Sequence, residues 1–275
     1  MRRHQPIAIA ARAALLTLLL GSAPALPAET LEIFSAGSLR GVVGELASEA
    51  GPALGVDIKP TFGGSGLMRE RIEKGELPDL FLSADVGSPR KLEQQGRTVV
   101  PAIAFARNRM CIIARRTAGV TAANLIEQLL ARKVRLRTSM PSADPAGDYA
   151  WSIFDRIDAQ RSGAGAILKA KAQASMSLAA TPATPGQSVA AALFESGQID
   201  MMISYCSGWP ALQKEAPELA SLVVPAALDP HPLYGMAVLS DKPAALRLAL
   251  YLLSGRGQAL IARQGLVAIT EAPRE

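Results

Sequence analysis

The feature that most constrains this chain is a repeated local pattern: a short apolar strand, a serine and glycine turn, then a helix. Leu31-Glu32-Ile33-Phe34 alternates as a strand does and runs into Ser35-Ala36-Gly37-Ser38. Leu39, Val42, Val43, Leu46 and Ala47 then recur every three or four residues, the spacing of one buried helical face. Residues 56–58 begin a second strand, the turn Gly63-Gly64-Ser65-Gly66 follows, and Leu67, Met68 and Ile72 mark the next helix. Gly75 and Pro78 end that helix. Residues 79–84 form a largely continuous apolar run, as expected for a strand covered on both faces.

The alternation continues to the end of the chain. Strands are expected at residues 110–114, 134–136, 199–205 and 236–239. Helices are expected at residues 125–130, 149–157, 188–194, 244–253 and 257–264. The alanine-rich stretch from residue 164 reads as a helix to about 180, where Pro182 and Pro185 enforce a loop. Such alternation predicts an α/β architecture with mostly parallel sheets flanked by helices. The pattern fits two lobes joined by short extended crossings as well as it fits one large sheet.

Residues 1–28 read as an export leader and not as part of the fold. Arg2 and Arg3 precede an apolar stretch over residues 7–20, interrupted by Arg12 and followed by small residues and prolines. Of 29 basic residues this segment holds three and none of the 24 acids, so a net charge of +5 falls to +2 without it. The basicity is thus largely an export feature, and no nucleic-acid partner is expected, since that would want a clustered basic stripe. No later stretch is long and apolar enough to span a membrane. Export permits a disulfide between Cys111 and Cys206, the only cysteines, but two buried thiols fit the sequence equally.

Three turns could hold an anion. Ser35 and Ser38 can add hydroxyl donors to the free N–H groups of their turn. The glycines around Ser65 allow close backbone approach and a nest of donors. Asp144-Pro145-Ala146-Gly147-Asp148-Tyr149 opens a further helix. Ordinary serine capping accounts for the first two just as well when each is taken alone. Tyr205, at the end of an apolar strand, could close such a pocket with its phenol or simply pack in a core. Arg40, Arg69 and Arg71 lie near the early turns and read as steering charges or solvated helix faces, outside the core site.

Catalysis is not expected. His231, flanked by prolines, is the only histidine after the leader and reads as a turn residue. There is no G-x-S-x-G elbow, no phosphate loop and no dinucleotide fingerprint. A secreted α/β enzyme is the alternative from another class; Asp79 and Asp85 would be its carboxylates, although strand capping and ion pairing explain them without catalysis. No cofactor is expected, nor any directly bound metal, since Cys/His clusters at metal-site spacing are absent.

Phe34-Ser35-Ala36-Gly37-Ser38-Leu39, then Phe62-Gly63-Gly64-Ser65-Gly66-Leu67, then the run from Glu73 to Asp85, together resemble the molybdate-binding proteins of bacterial ABC transporters. The resemblance implies a two-lobed periplasmic-binding-protein fold (type II). Residues 29–106 would begin lobe 1, residues 107–224 would form lobe 2, and residues 225–275 would complete lobe 1. It implies a monomer that captures molybdate or tungstate and delivers it to an inner-membrane ABC permease; sulfate and phosphate are the competing oxyanions. It implies ligand contacts from Ser38, Ser65, the backbone of Ala146, the helix start at Gln187 and Ser188, and Tyr205. Two departures stand out: Gly64 and Gly66 occupy places where many members carry further serines, and Cys206 stands where a small residue usually follows the tyrosine.

Overall fold

The alternation resolves into two sheets, each covered by helices on both faces. The computed structural model describes residues 28–176 and 187–271. The leader-like segment and the proline-containing loop after residue 180 lie outside the described residues. The alanine-rich helix is seen as Ala164–Met176.

Lobe 1 contains β1 (Glu29–Ala36), β2 (Val56–Gly63), β3 (Leu80–Ser83), β4 (Ile103–Arg107), β9 (Leu233–Val238) and β10 (Val267–Ala268), in the spatial order β10-β4-β9-β3-β1-β2. Side-chain alternation decides which helices cover which face. Ile33, Leu80 and Leu82 share a core with Leu39, Val42, Val43 and Leu46 from the segment beginning at α1 (Arg40–Glu45) and running through Leu46–Ala50 into α2 (Gly51–Leu54). Leu248 and Leu252 of α10 (Pro243–Leu253) and Leu260 of α11 (Gly255–Arg263) complete it. The neighbours one position along, Phe34 and Phe81, face the other way. They meet Met68 and Ile72 of α3 (Ser65–Glu73) and Leu92 of α4 (Gly87–Gln94). The period of two along each strand therefore builds two cores from one sheet.

Lobe 2 repeats the scheme with β5 (Met110–Arg115), β6 (Leu136–Arg137), β7 (Met201–Tyr205) and β8 (Leu219–Val223), in the order β6-β7-β5-β8. Ile112, Met201 and Ile203 pack with Leu125 and Leu129 of α5 (Leu125–Leu130), Phe154 of α6 (Pro145–Gln160) and Leu168 of α7 (Ala164–Met176). Ile113 turns to Leu193 and Phe194 of α8 (Val189–Glu195) and Leu212 of α9 (Trp209–Glu215).

The sheets are mixed, which differs from the largely parallel expectation. β1 pairs in parallel with β2 and β3, and β6 pairs in parallel with β7. β9 runs antiparallel to both β3 and β4, and β5 runs antiparallel to both β7 and β8. The reason is topological: the chain leaves lobe 1 along β4 and re-enters it along β9, so these strands take the direction of the crossings.

The two crossings touch. Asn108 N–H donates to the Pro232 carbonyl at 3.0 Å. Cys111 and Cys206 form a disulfide with Cα atoms 5.0 Å apart, tying β5 to the turn after β7. Asp79 holds β1 and β3 in register by accepting from the Glu32 N–H and from Lys242. Asp85 caps α4 through Ser88. Both carboxylates that an enzyme reading would need are thus structural. His231 sits in a turn at φ 54°, its N–H donated to Asp229.

Candidate functional site

The turns that end β1 and β2 face the turns that end β7 and open α6, and a cavity of about 540 Å³ lies between them. Lobe 1 contributes Ala36, Gly37, Ser38, Gly63 and Gly64, and lobe 2 contributes Ser139, Asp144, Ala146, Ser204, Tyr205 and Ser207. Arg40 and Gln264 line it as well. The strand ends converge here because both sheets point their loops at the cleft.

Three of the expected site residues, Ser38, Ala146 and Tyr205, are brought to this one cavity. Ser65 is fully buried, with its hydroxyl accepting from the Ala84 N–H at 3.0 Å, and is not among the cavity walls. Gln187 and Ser188 also lie off the walls. The Gln187 amide donates to Glu195, Ser188 caps α8, and the Ser188 N–H donates to Glu215.

The Tyr205 hydroxyl is buried and has no hydrogen-bond partner among the described residues. An unmatched buried polar group is costly, so a phenol left open at a cavity wall is a place for a ligand atom. Tyr205 is held on both sides by aromatic contacts, with Tyr149 at 6.3 Å and Tyr234 at 5.6 Å between ring centroids. Burial pushes the Tyr149 phenol up to about 12. Burial likewise raises Tyr205 well above the usual phenol range and raises Tyr234. All three therefore keep their protons at physiological pH and can donate.

The lobe 2 helix start is occupied differently from expectation. The Ala146 N–H donates to the Asp144 carboxylate at 3.0 Å, and the Gly147 N–H donates to the Asp144 carbonyl. Asp144 thus caps α6 with its own charge and also lines the cavity. Nearby, burial first and then the charges of Asp85 and Asp144 hold the Asp148 carboxyl above its ordinary range. Arg40 lies over the Phe62 ring at 4.2 Å. It belongs to the cavity wall, a correction to its reading as a charge outside the site.

The lobes touch at the cavity edge through backbone. The Leu67 N–H donates across the cleft to the Ala143 carbonyl at 3.4 Å. A Cβ on Gly66 would lie 1.8 Å from the Ser142 carbonyl oxygen, and one on Gly64 would lie 2.3 Å from that of Ala143. This contact is the physical reason that glycines stand at both positions.

Asp144 stands in the third turn that the sequence offers, although as a helix cap and not as a named contact, whereas Gln264 and Ser139 carry no local signal of a site role. Ser207 could have been suggested by its place two residues after Tyr205. Among the described residues no group of three or more His, Cys, Asp or Glu could hold a metal ion, and no helix is long and apolar enough to cross a membrane.

The sequence pattern of the bacterial extracellular solute-binding protein family matches residues 31–267. An uncharacterized protein of Pasteurella multocida is 33% identical over 196 residues, which is 70% of this chain and 79% of that protein. The periplasmic molybdate-binding protein of Azotobacter vinelandii superposes with a TM-score of 0.66 at 19% identity, over 89% of this chain and all of that one. The sulfate-binding protein SubI of Mycobacterium tuberculosis superposes with a TM-score of 0.69 at 15% identity, over 88% of each chain. At such identities the likeness to the two structures is one of fold.

Proposed function

This chain belongs to the bacterial extracellular solute-binding protein family, and from that footing we propose that it captures a small oxyanion between its lobes. It acts in the periplasm, after removal of the amino-terminal leader, and delivers its ligand to an ABC permease without changing it chemically. Molybdate or tungstate is the ligand that the motif resemblance favours. The observation that carries the reading is the buried, unpartnered Tyr205 hydroxyl in the wall of a cavity shared with Ser38. A deprotonated tetrahedral anion loses its water donors on entry, and neutral hydroxyls and backbone N–H groups replace them.

Tyr205→Phe tests this with two readouts. A hydrogen bond to a charged ligand is worth about 1.5–3 kcal/mol, so affinity is expected to fall roughly 10- to 100-fold. Stability without ligand should hold or rise, because the variant removes an unmatched buried hydroxyl. Unchanged affinity by calorimetry would mean that the ring is only core.

A second reading has its own support. The cavity of about 540 Å³ exceeds what a five-atom anion fills, and the Asp144 carboxylate on its wall suits a ligand with a proton to donate. Both features favour a solute that carries an oxyanion group together with a hydroxyl, such as a phosphate monoester. Tighter binding of glycerol phosphate than of any bare oxyanion would establish this reading over the first.

A further inference from the structure

Four polar side chains form a continuous path from one cavity wall to the other through the two crossings. Ser38 follows β1 in lobe 1 and Ser207 follows β7 in lobe 2, and both line the cavity. Between them lie Asn108, in the first crossing, and Tyr234, on the returning strand β9, and both are buried. The Asn108 Nδ2 donates to Ser207 Oγ at 2.8 Å and to Tyr234 Oη at 3.0 Å. Tyr234 Oη is 2.9 Å from Ser38 Oγ. The Arg109 N–H donates to Asn108 Oδ1 at 2.9 Å.

Proton counting, together with burial, fixes the direction of every bond in this path. A backbone N–H can only donate, so the amide atom facing Arg109 must be the oxygen, and the NH₂ must face Ser207 and Tyr234. An amide NH₂ has two protons and no acceptor, so each of its two neighbours receives one. Tyr234 Oη accepts from Asn108; the residue is fully buried, so we assign its own proton to its other neighbour, Ser38 Oγ, in preference to an unpaired O–H. Ser38 Oγ is then an acceptor on the hinge side and keeps its own proton for the cavity. Ser207 Oγ accepts directly from Asn108 and is left in the same state.

We infer that Asn108, directly on Ser207 and through Tyr234 on Ser38, is a specificity-determining residue that biases both hydroxyls toward donating to the ligand. This deepens the oxyanion reading and rests on it. A site whose hydroxyls have their protons free for the ligand is best matched by an anion with acceptors on every corner. It disfavours an anion of equal charge that presents one O–H, because accepting that proton turns a serine proton away from the ligand and costs one hydrogen bond. Asp144, at the α6 end of the cavity, is the one acidic acceptor on the walls, and one of its oxygens already serves the Ala146 N–H. The selection therefore operates at the hinge end, where Ser38 and Ser207 stand.

Sulfate and hydrogen phosphate, compared above the second phosphate ionisation, differ by one proton at equal charge and nearly equal size. Selenate and hydrogen arsenate give the same comparison at a larger radius. Wild-type protein is expected to prefer the unprotonated member of each pair roughly 10- to 100-fold, the worth of one or two hydrogen bonds. Asn108→Leu keeps the branched outline of the side chain and removes the proton source, and the preference should shrink to roughly threefold or less. Tyr234→Phe keeps the ring packing on Phe105 and Tyr205, and it should shift the ratio in the same direction.

Equal weakening of both anions in the folded variants would show a merely structural role and overturn the inference, as would a wild-type protein that does not discriminate. If the wild-type protein binds no oxyanion at all, molybdate included, the functional reading itself fails, and the selectivity claim goes with it. The proton order has a readout that needs no ligand. The Tyr234 hydroxyl proton should exchange slowly in NMR spectra and show a contact to the Ser38 β protons; a rapidly exchanging one would contradict the order.

Discussion

Gly66→Ala is expected to weaken ligand binding roughly a hundredfold or more while leaving both lobes folded. The added carbon would sit 1.8 Å from the Ser142 carbonyl oxygen and 2.9 Å from the carbon that bears it. Those are backbone atoms of the opposite lobe and cannot rotate aside, so the lobes must part. Overpacking of this kind costs about 3 kcal/mol or somewhat more, and that much differential cost on the closed state lowers apparent affinity by about two orders of magnitude. Ser142 itself has φ 67°, an uncommon conformation for a residue with a side chain, so its loop has little slack to give. Calorimetry should show the loss, and small-angle scattering should show a larger radius in the presence of ligand than wild type has. Unchanged affinity would mean that the contact between the Gly66 and Ser142 turns plays no part in binding.

Replacing Cys111 and Cys206 together by serine should destabilise lobe 2 and leave lobe 1 nearly untouched. Both ends of the bridge lie in lobe 2, 95 residues apart. Closing a loop of about 100 residues is worth about 4.7 kcal/mol in the chain-entropy account, and native disulfides commonly contribute about 2–5 kcal/mol. For a chain of this size that is a fall in melting temperature of roughly 5–20 °C. The two tryptophans of the sequence, Trp151 and Trp209, both lie in lobe 2, in α6 and α9, so their fluorescence reports on that lobe alone. Circular dichroism follows the whole molecule and should show the lobes melting apart. A melting curve indifferent to both reductant and the double substitution would contradict the bridge.

The elements that depend on local pattern were legible in the sequence. Alternation placed β1 and β7, the apolar run placed β3, and the glycine and serine turns placed the entries to α1 and α3. Helix α4 escaped notice because Gly-Ser-Pro-Arg-Lys-Leu-Glu-Gln offers one large apolar residue, Leu92, where periodicity needs several. Strand direction escaped for a different reason. Whether β9 runs with or against β3 depends on a connection that spans all of lobe 2, and the residues of the strand do not encode it.

The same division holds for the candidate site. Ser38 and Tyr205 were visible because each ends a strand in a recognisable turn. Gln264 comes from the far end of lobe 1, and Asn108 meets Tyr234 from a distance of 126 residues. Neither stands in a motif, so only the folded molecule puts them beside the cavity. The expectation of ligand contacts at Gln187 and Ser188 came from family resemblance, and that at Ser65 from its glycine turn as well; the hydrogen bonds found there serve the protein's own backbone and side chains. Pairing of Cys111 with Cys206 likewise followed from no local signal, since β5 and β7 are neighbours in the sheet but far apart in sequence.

The most direct test of the central claim is calorimetric titration of the ligand-stripped mature protein with molybdate, tungstate, sulfate and phosphate in parallel. The account predicts tight one-to-one binding of molybdate and tungstate, weaker binding of sulfate, and the weakest binding of phosphate. Silence with all four anions would contradict oxyanion capture by this cavity while leaving the two-lobed solute-binding fold in place.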